Sequence, residues 1–202
     1  MKVLGINGVF KNIIYFFDFD HEGNLPTFYS SLALLSSGLL LFIISYFHKT
    51  NRLEHFQWKG LAFIFVFLSI DEITMIHEQL WMPTHKLFNT TGLLYYAWYI
   101  PYGILLLILL FIYSKFLMRL PKKIRWLFIL SGFVFVFGAI GIESVSGYYD
   151  ELHGQENLVF YIICTVEELF EMVGVAIFIY ALLLYISDTI EHIDLKSTEL
   201  LN

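Results

Sequence analysis

Five long apolar stretches constrain this chain more than any other feature of its sequence. They lie near residues 27–47, 60–82, 93–117, 126–148 and 158–186. Each is close to the length of about 20 apolar residues that a helix needs to cross the hydrocarbon core of a bilayer, about 30 Å thick. Because such helices satisfy their own backbone hydrogen bonds in lipid, we predict an all-α, polytopic integral membrane protein with about five transmembrane helices in a bundle.

The composition favours a membrane protein over a soluble one. Hydrophobic residues make up 58% of the 202 residues and charged residues 15%, whereas soluble domains have roughly 45–50% and about 25%. The sequence contains no basic tract of the kind that would indicate a nucleic-acid partner. Its single cysteine, Cys164, excludes an intrachain disulfide. We expect the protein to be embedded in the lipid bilayer. A lipid substrate and a homo-oligomer or larger membrane complex are the further partners that we expect.

The connections between the stretches differ in their content of basic residues. The second connection contains Lys86 alone and the fourth contains none. In or beside the first and third lie Lys49, Arg52, Lys59, Lys115, Arg119, Lys122, Lys123 and Arg125. Because cytoplasmic loops are enriched in Lys and Arg, we predict that the N-terminus lies outside and the C-terminus in the cytoplasm, with a bacterial inner membrane as the location.

This orientation gives a simple domain organisation. Residues 1–26 are predicted to form an external segment with an interfacial helix, residues 27–186 the five-helix transmembrane domain, and residues 187–202 a cytoplasmic tail. Pro101 lies inside the third apolar stretch, where the missing N–H of a proline predicts a kink.

Acidic residues inside these apolar stretches are the main indication of function. A charged side chain at the bilayer centre costs on the order of 2.5–3.5 kcal/mol on insertion scales, and such residues usually mark functional sites. Every Lys and Arg lies near a predicted membrane edge, so bases cannot balance the acids. The carboxylates must therefore be neutral, hydrated, bonded to each other or balanced by a cation. They are Asp71, Glu72, Glu78, Glu143, Glu167, Glu168 and Glu171.

Helical geometry predicts that the acids of the second stretch share a face. At about 100° per residue, Asp71 and Glu78 lie within about 20° of each other, and Glu72 lies on one flank. On the same helix His77 would lie roughly 120° from Asp71, away from the acidic face.

The fourth and fifth stretches carry polar faces of their own. Glu143 shares a stripe with the small residues Ser146 and Gly147, while Glu167 to Glu171 and Cys164 fall within an arc of about 100°. All these positions lie in the middle to outer half of the predicted spans. The sequence therefore predicts one shared, outward-facing site between three helices.

Carboxylates with an occasional imidazole suit divalent metal ions, and we expect Fe, Mn or Zn as a cofactor. Either Glu72 or Glu167 would then be a general base. The Glu-x-x-His pattern of di-iron four-helix proteins does not occur, so we assign no family. The predicted metal ligands are Asp71, His77, Glu78, Glu143, Glu168 and Glu171.

Three functions are compatible with these residues. The first is a small multi-pass membrane metalloprotein, an enzyme acting on a lipid or another apolar substrate. The second is a proton or divalent-cation transporter or channel, which acidic chains in membranes also serve. The third is a non-catalytic accessory or sensor subunit of a membrane complex. The inner halves of the predicted helices are nearly purely apolar, which favours a one-sided site over a conduction path.

Overall fold

The computed structural model describes residues 25–50 and 55–200, with side chains as far as residue 188. Most of these residues are helical and none lies in a strand, which confirms the predicted all-α class. Most of the predicted external segment, together with Arg52, lies outside the described residues. The helices are α1 Leu25–Thr50, α2 Phe56–Thr74, α3 Ile76–Gln79, α4 Trp81–Phe88, α5 Tyr99–Arg119, α6 Lys122–Val136, α7 Glu143–His153 and α8 Leu158–Leu200, with a 3-10 turn at Gly92–Leu94 and a π-helical segment at Phe137–Ile142.

Four or five membrane-spanning helices fit the described residues. A fifth is counted when α2 and the segment Ile76–Phe88, which are bent by 69° at their junction, form one broken span. The four unbroken helices that are long and apolar enough are Leu25–Thr50, Tyr99–Arg119, Lys122–His153 and Leu158–Asp188.

The continuous helix predicted over residues 60–82 is wrong. Helix α2 ends at Thr74, and Met75 adopts a left-handed conformation with φ 54° and ψ 40° before α3 begins. A left-handed conformation at a residue other than glycine costs about 1–2 kcal/mol. The surrounding structure must therefore stabilise this break, and the contacts of Asp71 described below do so.

The third and fourth stretches also differ from their predicted bounds. Helix α5 begins at Tyr99, so Pro101 lies in its first turn. The first four N–H groups of a helix have no partner within the helix, so Pro101 removes no helical bond and the reason for the predicted kink disappears. The fourth stretch is helical from Lys122 to His153 and contains the π segment, which shifts the side chains that follow it around the helix.

The hydrophobic core lies at the end of the molecule where α1 leads to α2 and α5 leads to α6. Leu41 and Ile124 are fully buried there. Trp58 is the central aromatic residue, with its ring 4.9 Å from that of Phe116 and 4.7 Å from that of Tyr185. Both basic connections therefore lie at the same end of the bundle.

Helices α1 and α2 pack closely along small and hydroxyl-bearing residues. A Cβ atom on Gly38 would lie 3.0 Å from the side chain of Val66, and the buried hydroxyls of Ser31 and Ser69 lie 2.9 Å apart. Such contacts are typical of helix pairs in membranes. Helix α5 is different, because Tyr99 is its single buried residue, and its residues between Tyr102 and Leu109 contribute to the wall of a cavity.

Candidate functional site

A cavity of about 1010 Å³ lies between α2, α5, α6 and α8. Its volume is at the upper end of the range of roughly 300–1,000 Å³ that is typical of small-molecule sites. The structure brings all seven acidic residues of the apolar stretches to the wall of this cavity, although they come from four different helices. They are Asp71, Glu72, Glu78, Glu143, Glu167, Glu168 and Glu171.

The polar wall of the cavity has a strong excess of acidic groups. Among the described residues that line it, none is Lys or Arg, and His77 is the one basic side chain. Like charges in a medium of low dielectric constant repel each other strongly. The carboxylates therefore need protons, water or a bound cation as partners.

Asp71 is the best-bonded of these carboxylates and stabilises the break at Met75. It is only 4% exposed. The backbone N–H of His77 donates to its Oδ1 at 2.9 Å, and the hydroxyl of Tyr102 donates to its Oδ2 at 3.0 Å. The Nδ1 atom of His77 lies 3.3 Å from the same Oδ2. Asp71 thus holds the first residues of α3 against the end of α2.

The break also changes the predicted relation between His77 and the acids. The prediction that His77 lies away from the acidic face is wrong, because it assumed a continuous helix through Met75. The 69° bend instead turns α3 back, so that His77 contacts Asp71 directly. The angle predicted between Asp71 and Glu78 does not apply for the same reason, although both residues line the cavity.

Glu143 is held by Trp98, just before α5. The indole Nε1 of Trp98 donates to Oε1 of Glu143 at 2.6 Å. The ring of Trp98 lies 4.8 Å from that of His77 and 5.1 Å from that of Tyr102. Glu143 follows the π segment directly, and π-helical turns occur frequently at functional sites.

The three glutamates of α8 complete the acidic wall. The hydroxyl of Ser146 donates to Oε2 of Glu167 at 3.2 Å. In contrast, Oε2 of Glu168 is buried and has no hydrogen-bond partner among the described residues. A buried polar atom without a partner costs about 1–3 kcal/mol. Since native proteins rarely leave such atoms unpaired, this oxygen is open to a donor in the cavity, such as a water molecule or a bound ligand.

Gly138 lets the π segment lie directly against α8. A Cβ atom at Gly138 would lie 2.9 Å from the carbonyl oxygen of Glu167 and 3.0 Å from Cγ of Glu171. This close approach brings the helix that carries Glu143 next to the helix that carries the other glutamates.

Tyr96 extends the site away from the core. Its hydroxyl donates to Oδ2 of Asp150 at 3.0 Å, and the side-chain amide of Gln155 donates to the same oxygen at 3.0 Å. Burial, together with the negative charge of Asp150, raises the pKa of Tyr96. Tyr96 therefore stays a neutral donor at physiological pH.

Sequence reasoning missed the aromatic part of this site. The site predicted from the sequence consisted of acidic residues and His77, and Tyr102 was not considered. A signal was present for Tyr102, because a phenol hydroxyl inside an apolar helix usually finds a hydrogen-bond partner. The aromatic residues that line the cavity beside the acids include Trp81, Tyr96, Trp98 and Tyr102.

The other half of the cavity is apolar and reaches the surface between α2 and α5. Phe63 and Phe67 line it from α2, and Leu105 and Ile108 line it from α5. These four side chains are nonetheless 45–57% exposed. The cavity therefore joins an apolar cleft, open at the side of the bundle, to the acidic wall.

The structure contains no ready-made metal centre within the described residues. No group of three or more His, Cys, Asp or Glu residues is placed so that it could hold a metal ion there. The predicted ligands share one cavity, but they do not converge on one point.

The comparisons with known proteins identify a family without assigning an activity. Residues 6–186 match a family model described as "Domain of unknown function (DUF8692)". The comparisons with curated proteins and with solved structures return no match.

Proposed function

We propose, from the premise that the chain belongs to the DUF8692 family, that this membrane protein binds an amphipathic, lipid-like molecule in its cavity. The observation that carries the proposal is the continuity of one cavity from the cleft between α2 and α5 to the carboxylates. An apolar chain would lie in the cleft, where it replaces lipid, and a polar group would meet the acids. The open side of the cleft gives such a molecule a route from the bilayer.

We propose further that the polar wall is catalytic and transfers protons. His77 is the group best placed for this, because Asp71 contacts its Nδ1. A carboxylate in this position fixes the tautomer and the orientation of an imidazole, as it does in the Ser-His-Asp triad. Glu72 and Glu167, the bases predicted from the sequence, line the same cavity and remain proposed partners in this chemistry.

The proposal keeps the orientation predicted from the basic residues. With α2 to α4 counted as one span, the core end of the bundle lies at the cytoplasmic side and the Tyr96 end of the cavity lies outside. We also propose the bacterial inner membrane as the location. The polar group of a bound molecule would then reach the carboxylates in the outer half of the membrane.

Filling the cavity tests the binding proposal. Gly132 lines the cavity, and a Cβ atom there would have no neighbour within 4 Å, so Gly132→Phe should occupy the space without disturbing the helices. We expect mass spectrometry of lipid extracts to find a retained amphipathic molecule in purified parent protein and to find it lost in Gly132→Phe.

Gly103→Phe is the matched control, because Gly103 also has open space around it but does not line the cavity. This variant should retain the molecule as the parent does. Equal retention in both variants, or a parent protein that carries no such molecule and binds none when it is added, would contradict the proposal.

A bound divalent metal ion is a second proposal, and the excess of carboxylates favours it. Fe, Mn or Zn would neutralise the acidic wall once the side chains moved closer together. Elemental analysis of the same preparation should then find stoichiometric metal in the parent, lost when Glu143 and Glu171 are both changed to Gln. A metal-free parent that retains the amphipathic molecule would reject the metal and leave the first proposal intact.

A further inference from the structure

The chemistry of the cavity wall restricts which polar group the bound molecule can carry. Phosphate and carboxylate groups are usually recognised by Arg or Lys, which donate charge-assisted hydrogen bonds. Neither residue type occurs among the described residues that line the cavity. An anionic group would also meet the seven carboxylates. Phospholipids and fatty acids are therefore poor matches for this wall.

Aromatic rings beside the carboxylates favour a positively charged group. Trp98 and Tyr102 meet nearly at right angles, with interplanar angle 86° and ring centroids 5.1 Å apart, and the ring of His77 lies next to Trp98. Ammonium groups bind to the faces of Trp and Tyr rings, and combinations of such rings recognise alkylated ammonium ligands. This corner of the cavity therefore has two features of an ammonium site, aromatic faces and nearby negative charge.

Glu168 provides an independent indication of a donor. Its buried Oε2 has no hydrogen-bond partner among the described residues, and the side chain lines the cavity. A primary ammonium group offers three N–H donors and no acceptor. Such a group would satisfy this oxygen and reduce the negative charge of the wall at the same time.

We infer that the molecule bound in the cavity is a long-chain amine without a phosphate group. Its ammonium group binds Glu168 and the aromatic corner formed by Trp98 and Tyr102, and its alkyl chain lies in the cleft between α2 and α5. This inference rests on the proposed function, because it names the class of the amphipathic molecule.

Three amphiphiles with the same alkyl chain test the inference. The probes are a primary alkylamine, the corresponding alcohol and the corresponding alkyl phosphate, each titrated against the full chain in non-ionic detergent. Tryptophan fluorescence reports binding, because Trp81 and Trp98 line the cavity. The variant Gly132→Phe, in which the cavity is filled, gives the baseline fluorescence change caused by amphiphile that enters the detergent micelle without binding in the cavity. We expect the amine to bind about tenfold more tightly than the alcohol, and the phosphate to stay at the baseline.

A charge-removing variant locates the ammonium group. Glu168→Gln should lower the affinity for the amine about tenfold, to that of the alcohol, while the affinity for the alcohol stays unchanged and shows that the cavity is intact. Glu156→Gln is the matched control, because Glu156 is exposed and does not line the cavity, and it should change neither affinity.

The outcomes separate the inference from the proposed function. Equal affinities for amine and alcohol in the parent, or tighter binding of the phosphate, overturn the inference and leave an amphipathic ligand in place. Baseline signals for all three probes, with no retained molecule in the lipid extract, overturn the proposed function itself. If Glu168→Gln binds neither amine nor alcohol, the variant has lost its cavity. The affinities of the parent protein for amine and alcohol then decide whether the inference holds.

Discussion

Replacing Asp71 by alanine is expected to destabilise this protein more than the loss of any other carboxylate in the cavity. The buried carboxylate accepts from the N–H of His77 and from the hydroxyl of Tyr102. Each of these two donors that loses its acceptor costs about 1–3 kcal/mol, so Asp71→Ala should lower the free energy of unfolding by about 2–6 kcal/mol. The bond to the N–H of His77 crosses the break at Met75, so its loss weakens the junction of α2 and α3.

Thermal unfolding in detergent measures this effect. Tyr102→Phe removes one of the hydrogen bonds and keeps the ring, so it should cost less, about 0.6–1.7 kcal/mol. The control is Asp188→Ala. Asp188 is exposed on α8, well beyond the glutamates that line the cavity, so its loss should leave the unfolding temperature nearly unchanged. An Asp71→Ala protein as stable as the Asp188→Ala protein would contradict the role assigned to Asp71.

The apolar spans and the location of the acids on one shared cavity had clear signals in the sequence. Runs of about 20 apolar residues have few alternatives to a membrane helix. Carboxylates within them are so costly in lipid that they were expected to face the protein interior together. The common location of Glu143 and Glu168 at one cavity follows from this energetic cost. It could therefore be predicted without accurate helix boundaries.

The local geometry had no comparable signal. The segment "SIDEITMIHE" contains neither proline nor glycine, and the break at Met75 is stabilised by a contact from Tyr102, which is distant in the sequence. The π segment before Glu143 likewise depends on the close approach of Gly138 to α8. Both features depend on tertiary contacts, so a uniform rotation per residue predicted the wrong neighbours for His77.

Gly174 is the position where a single added carbon should disturb the bundle most. A Cβ atom there would lie 2.7 Å from the backbone nitrogen of Phe135 and 2.9 Å from its Cα. Backbone atoms cannot turn aside as the end of a flexible side chain can, so α6 and α8 would have to separate. Overpacking of this kind typically costs about 1–3 kcal/mol, and Gly174→Ala should lower the free energy of unfolding by that amount.

Gly103→Ala provides the matched comparison, because it makes the same chemical change in a helix where a Cβ atom has no neighbour within 4 Å. Alanine is favoured over glycine in a helix by about 0.5–1 kcal/mol, so this variant should be as stable as the parent or slightly more stable. The two substitutions are therefore expected to change stability in opposite directions. If Gly174→Ala also left the unfolding temperature unchanged, α6 and α8 would not pack at the distance described. Because Phe135 also lines the cavity, a true separation of these helices should weaken amphiphile binding in Gly174→Ala and leave it intact in Gly103→Ala.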